Sequence, residues 1–180
     1  MLLSFIFIPF VTALLLLFIK NDKSANTIAI VSTLGTLVAA IVVAGNGAVD
    51  LNAPWIPVLH AQFLLHADGL AKILVLLTAI SFPAIITATS QNQPKQKNIF
   101  LSLLLFAQSG LMGVFLAGDA LLFYFFWELA LIPVYFLSSI WGGERRIAVT
   151  FKFFIYTFLG SLLMLIGIIY VYMHTSDQSF

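Results

Sequence analysis

Six long apolar stretches alternate with polar breaks along this chain: Leu2–Ile19, Thr27–Ala44, Gly69–Thr89, Ile99–Ala117, Ala120–Trp141 and Thr150–Met173. Each approaches the roughly 20 residues that an α-helix needs to cross a hydrocarbon layer of about 30 Å. The pattern predicts an all-α, polytopic integral membrane protein with six transmembrane helices. Three of the breaks, Lys20–Asn26, Ser90–Asn98 and Gly142–Ile147, are polar loops. Between the fourth and fifth stretches stands only Gly118-Asp119, a turn dipeptide whose aspartate can cap the helix that follows. The connection over residues 45–68 is partly apolar and broken by Pro54 and Pro57 around Trp55. Too short and proline-interrupted to span, it is expected in the outer interface with Trp55 at headgroup level.

The breaks also orient the chain. Lys20, Lys23, Lys95, Lys97, Arg145 and Arg146 all fall on one side of the six spans, and the opposite loops hold no basic residue. The positive-inside rule makes that side cytoplasmic and puts both termini outside, in a bacterial cell membrane. The first stretch lacks a basic leader and a small-residue cleavage site, so it is expected to be a retained span.

Composition narrows the class further. Hydrophobic residues make up 62% of the 180 and charged residues 8%, with a mean hydropathy of +1.10. Soluble domains are about 45–50% apolar and about 25% charged. This chain's exterior is therefore lipid-facing. A dispersed net charge of +1 gives no footprint for nucleic acid. With no cysteine there is no disulfide framework, thiolate metal site or Fe–S ligand set. His60, His66 and His174 are scattered without metal-binding spacing, and no phosphate loop or nucleophile elbow occurs.

Glu128 is the residue that needs explaining. It stands within FYFFWELALIPVYFL, roughly 13–14 Å along a helix from Asp119 and close to the bilayer midplane. A charge there costs on the order of 2.5–3.5 kcal/mol on insertion scales, and ionisable groups at this depth are functional by default. The alternative is a neutral carboxyl used for packing. Tyr124, Glu128, Tyr135 and Ser139 recur at spacings of 4, 7 and 4 and share one helix face, a polar stripe that should face protein or water. Pro133 frees the carbonyl of Leu129 beside it, a further seat for water.

Other polar residues carry two readings each. Lys152, at the cytoplasmic end of the sixth span with Tyr156 a turn deeper, is either a snorkelling anchor or a proton-path entrance. Gln108 is either a partner for Glu128 and its water or interhelical packing glue. Lys72 is expected to pair with Asp68 four residues before it. Gly110, Gly113, Gly160 and Gly167, with Ser109, read as close-packing positions.

The run DALLFYFFWELALIPVYFLSSIWGGERRIAVTFKFFIYTFLGSLLMLIGI resembles the antiporter-like subunits of proton-pumping NADH:quinone oxidoreductase, respiratory complex I, and most closely their chain M type. Asp119 with Phe125–Glu128, Pro133–Phe136, Lys152–Thr157 and the opening Asp68-Gly69-Leu70 carry the likeness. The resemblance implies a proton channel of two inverted five-helix repeats within about fourteen helices. Its fifth-helix glutamate matches Glu128; its seventh-helix lysine has no counterpart here, so the chain looks like an N-terminal fragment. Residues 1–89 would be three N-terminal helices with their outer interfacial segment, and 90–180 helices four to six, the start of the first repeat.

The resemblance implies a proton-translocating subunit that takes part in electron-transport-linked pumping and has no catalytic chemistry of its own. NADH, FMN, Fe–S clusters and quinone would sit on other subunits, and its partners would be other membrane subunits and the bilayer. Glu128 and Lys152 would be the proton-handling residues, with Tyr124, Tyr135, Ser139 and Gln108 supporting them. Two further readings are a subunit of a multi-component Na⁺/H⁺ antiporter and a non-transporting assembly subunit.

Overall fold

A computed structural model describes residues 2–47, 49–57, 61–90 and 94–174. Six helices and one hairpin follow in order: α1 Leu2–Phe18, α2 Asp22–Ala44, β1 Val49–Ile56, β2 Ala61–Ala67, α3 Gly69–Ser90, α4 Lys97–Leu116, α5 Ala120–Trp141 and α6 Arg146–His174. Helices α2 to α6 are each long and apolar enough to cross a bilayer. The 17-residue α1 stands at the lower limit. The chain is a multi-pass membrane bundle.

The helices on the basic side begin earlier than the hydropathy pattern predicts. α2 starts at Asp22 rather than Thr27 because Asn21 caps it, its side chain accepting from the Lys23 N–H at 3.0 Å. α6 starts at Arg146 rather than Thr150. Lys23, Lys97 and Arg146 thus lie in the first turns of α2, α4 and α6. Cations are disfavoured there by the helix dipole, so these side chains do not stabilise the helices they begin.

α4 is the hub. Ser102 Oγ donates to Ala13 O at 2.7 Å and Ser109 Oγ to Ile6 O at 2.8 Å, tying α1 along it. On its α5 side, a Cβ on Gly110 would meet the Ala130 backbone at 2.8 Å, and one on Gly113 the Phe126 ring at 2.2 Å. Only glycine permits this approach. Gly160 and Gly167, by contrast, face open space, which corrects the expectation that all four glycines are packing positions. α6 packs chiefly on α5.

The connection between α2 and α3 folds as an antiparallel hairpin. Val49, Leu51 and Ala53 pair with Ala67, Leu65 and Phe63 on its inner face; Asp50 pairs with His66 on the outer. Leu65 and Ala67 join the core formed by Leu2, Phe5, Met112, Leu116 and Leu122, so the hairpin closes the end of the bundle opposite the basic one. The register slips between Pro54 and Ile56. Trp55 there packs edge-on against Phe125 of α5, with ring centroids 5.6 Å apart.

Candidate functional site

The turn before α5 fixes where the helix begins. Asp119 is buried, and its Oδ1 accepts from the N–H groups of Leu121 and Leu122 at 2.9 and 3.0 Å. This is the cap expected from the sequence. Its Oδ2 accepts from the Gln62 N–H at 3.0 Å, and Gly118 N–H donates to Leu64 O at 2.8 Å. One carboxylate therefore holds both the hairpin and the α5 start, and its hydrogen bonds give it a structural part.

From that start, Leu122, Phe126, Ala130 and Pro133 form the buried face of α5, with Phe126 and Ala130 against α4. Glu128 lies two residues from both Phe126 and Ala130, about 200° around the helix, and so points to the other side. It is half-buried, and its Oε1 is fully enclosed with no hydrogen-bond partner among the described residues. Tyr124, Tyr135 and Ser139 are half-buried on the same stripe. The Tyr135 ring lies 5.0 Å from that of Phe154, so the stripe faces α6 at that level. Ser139 Oγ donates to Phe136 O at 3.2 Å.

Gln108 takes a different direction. It is completely buried, and its Nε2 donates to Thr36 Oγ1 of α2 at 3.0 Å; Thr36 in turn donates to Thr33 O at 2.8 Å. The amide joins α2 to α4 as packing glue, and no hydrogen bond links it to Glu128. Lys152 is exposed, on a face of α6 away from the positions that meet α5, and Tyr156 beside it is 73% exposed. The structure does not bring Lys152 to Glu128.

The expected Lys72–Asp68 pair does not form. Asp68 Oδ1 accepts from the Ala71 N–H at 2.7 Å, capping α3, while Lys72 Nζ donates to Asn46 O and Gly47 O at 2.6 and 2.8 Å. The ammonium neutralises the carboxyl end of α2 instead, where the dipole favours a cation. His66 hydrogen-bonds Asp50 on the exposed hairpin face, and His174 Nδ1 contacts Tyr170 O. His60 lies outside the described residues. No group of three metal-ligating side chains forms among the described residues.

A groove of about 250 Å³ runs over α4 between α1 and α5, lined by Phe10, Leu103, Phe106, Leu129, Ile132, Pro133 and Phe136. None of these side chains ionises, so the groove offers no proton chemistry. α6 carries a polar face of its own. On α6 only Thr150 and Ser161 are buried, and both carry hydroxyls. The same 4- and 7-residue spacing that marks the α5 stripe relates Thr150, Thr157 and Ser161.

Residues 117–180 match the family described as "NADH:quinone oxidoreductase/Mrp antiporter, TM", a stretch that contains all of α5 and α6. The chain is 33% identical over 181 residues to F(420)H(2) dehydrogenase subunit M of Methanosarcina mazei, covering 97% of this chain and 37% of that protein. It is 36% identical over 159 residues to NADH-quinone oxidoreductase subunit M of Rhodobacter capsulatus, covering 84% of this chain and 30% of that one. It thus spans well under half the length of these curated relatives. Its backbone superposes over its whole length on 38% of a chain of respiratory complex I from Thermus thermophilus, with a TM-score of 0.86 at 27% identity. With the fifth-helix carboxyl and its helical setting inside the matched stretch, and the entire bundle reproduced in a complex I chain, this chain belongs to the NADH:quinone oxidoreductase/Mrp antiporter family of transmembrane proteins.

Proposed function

We propose that this chain acts in a membrane subunit of a quinone-reducing redox complex and takes part in the proton translocation coupled to its electron transport. The observation that carries this is Glu128: a carboxyl well inside a membrane-spanning helix, with one oxygen enclosed and unpartnered, and the only ionised residue type on that helix. An ionisable side chain within a membrane span is costly to keep unless it has a function, and such residues mark ion pathways and proton relays. The Tyr124–Tyr135–Ser139 stripe is its polar surround. Lys152, turned away from α5, contributes to the positive end and is not the partner of Glu128 in this chain.

Flavin, Fe–S clusters, quinone and the electron donor belong in this reading to other subunits. The relatives' names support that division, since one carries F420H2 and another NADH. Other membrane subunits are the partners, packed against the surfaces left bare on α6. The test is the proton-to-electron ratio of membranes whose complete complex carries Glu128→Gln. A lowered ratio in an assembled complex supports the reading; an unchanged ratio leaves Glu128 as packing.

The basic end is proposed to face the cytoplasm, with the hairpin and both termini outside. Ser24, exposed in the first turn of α2, reports this in a chain without native cysteines. A cysteine at Ser24 should react with an impermeant maleimide only in inside-out vesicles. Labelling in intact cells would reverse the orientation.

A further inference from the structure

The seam between α5 and α6 buries hydroxyls on the α6 side. α6 has 29 residues, and its only buried ones are Thr150 and Ser161. Ser161 is 4% exposed, and α6 packs chiefly on α5, so α5 is what covers it. The two helices are joined by a short turn and run antiparallel, and the Tyr135–Phe154 ring contact fixes their relative level. From that contact, seven residues back along α5 reach Glu128 and seven forward along α6 reach Ser161. Each step is two turns, about 10 Å, and each returns to nearly the same helix face. The register therefore sets Ser161 opposite Glu128.

The two groups are complementary. Glu128 Oε1 is enclosed and lacks a donor. Ser161 Oγ donates at 2.9 Å to Phe158 O, a bond within its own helix that the hydroxyl can leave by rotating about one torsion. A charged carboxylate binds a hydroxyl donor more strongly than a backbone carbonyl does. We infer that Ser161 is a positioning residue for Glu128, its hydroxyl turning from Phe158 O to the carboxylate when Glu128 gives up its proton. This rests on the proposed proton role of Glu128. It adds a reason for the burial of a small hydroxyl at that level of an otherwise exposed helix. The Phe158 carbonyl keeps its helical N–H partner, so the exchange leaves no backbone group unpaired.

The test is made in the complete complex, with proton translocation, quinone-reductase activity and assembly measured together. Ser161→Ala removes the donor with little change of volume and should lower the proton-to-electron ratio severalfold while assembly stays intact. Ser161→Thr keeps the hydroxyl and should restore most of it. In the double variant Ser161→Ala with Glu128→Gln, the ratio should equal that of Glu128→Gln alone, because the hydroxyl acts only through the carboxylate. If Glu128→Gln lowers the ratio but Ser161→Ala does not, the partnership is wrong and the role of Glu128 stands. If both lower it and the losses multiply in the double variant, Ser161 acts through packing alone, and the inference fails. If Glu128→Gln itself has no effect, the reading of Glu128 fails first.

Discussion

Glu128→Gln is expected to lower coupled proton translocation by roughly a hundredfold, the lower end of the range for losing a positioned proton-transfer group, while the complex still assembles. Glutamine keeps the length and planar end of the side chain and can still hydrogen-bond, but it cannot ionise. The packing that holds α5 in the bundle lies on the other side of the helix, where Phe126 and Ala130 meet Gly113 and Gly110. The substitution leaves that face untouched, so a loss of pumping is not a loss of folding. Glu128→Asp is expected to retain more activity: it stays acidic but withdraws by one methylene from α6. Acidification of inverted vesicles driven by the electron donor gives the rates, and native gels of solubilised membranes give assembly.

Gly113→Ala and Gly110→Ala are expected to be strongly destabilising, because each would force α4 and α5 apart. A Cβ on Gly113 would lie 2.2 Å from Phe126 Cδ1 and 2.3 Å from Cγ. That ring cannot swing aside easily, being 3% exposed and held between Phe63 and Phe125, with centroids 6.4 and 5.4 Å away. A Cβ on Gly110 would meet Ala130 Cα at 2.8 Å and its nitrogen at 2.9 Å, atoms of a helix backbone. α4 and α5 would have to separate, and overpacking of this kind costs about 1–3 kcal/mol or more. Less chain in the membrane and a lower unfolding temperature of the solubilised complex are expected. A Cβ on Gly160 or Gly167 meets nothing within 4 Å in this chain, so neither change disturbs the packing of α4 on α5. Wild-type stability for Gly113→Ala would mean that α4 and α5 do not pack this closely.

The helices were legible because hydropathy alone decides them: α5 runs from Ala120 to Trp141 as its apolar stretch predicts, and the Asp119 cap follows from one residue type at one position. The hairpin was also written in the chain. Val49-Asp50-Leu51-Asn52-Ala53 alternates with a period of two, but two prolines and a tryptophan in the same segment suggested an interfacial passage instead. What a single sequence does not contain is which neighbour each helix face meets. Gln108 is visible in the sequence as a polar residue inside an apolar stretch, yet only the packing of α2 on α4 decides that it bonds Thr36 and not Glu128. The same holds for Lys72, where a loop brought close by the hairpin offers carbonyls that outcompete Asp68. Glycines look alike in sequence, and only the helix opposite distinguishes Gly113 from Gly167. Ser161 was within reach of the periodicity that revealed the α5 stripe, since Thr150, Thr157 and Ser161 repeat it on α6.

The central claim is that Glu128 changes protonation during turnover, and redox-triggered infrared difference spectroscopy of the complete complex measures this most directly. A protonated carboxyl has a C=O stretch that separates from other protein bands and shifts in D₂O. The expected result is a difference band in that region that is present in the native complex, lost in Glu128→Gln and displaced in Glu128→Asp. Identical difference spectra for the native complex and Glu128→Gln, recorded with both fully assembled, would contradict it.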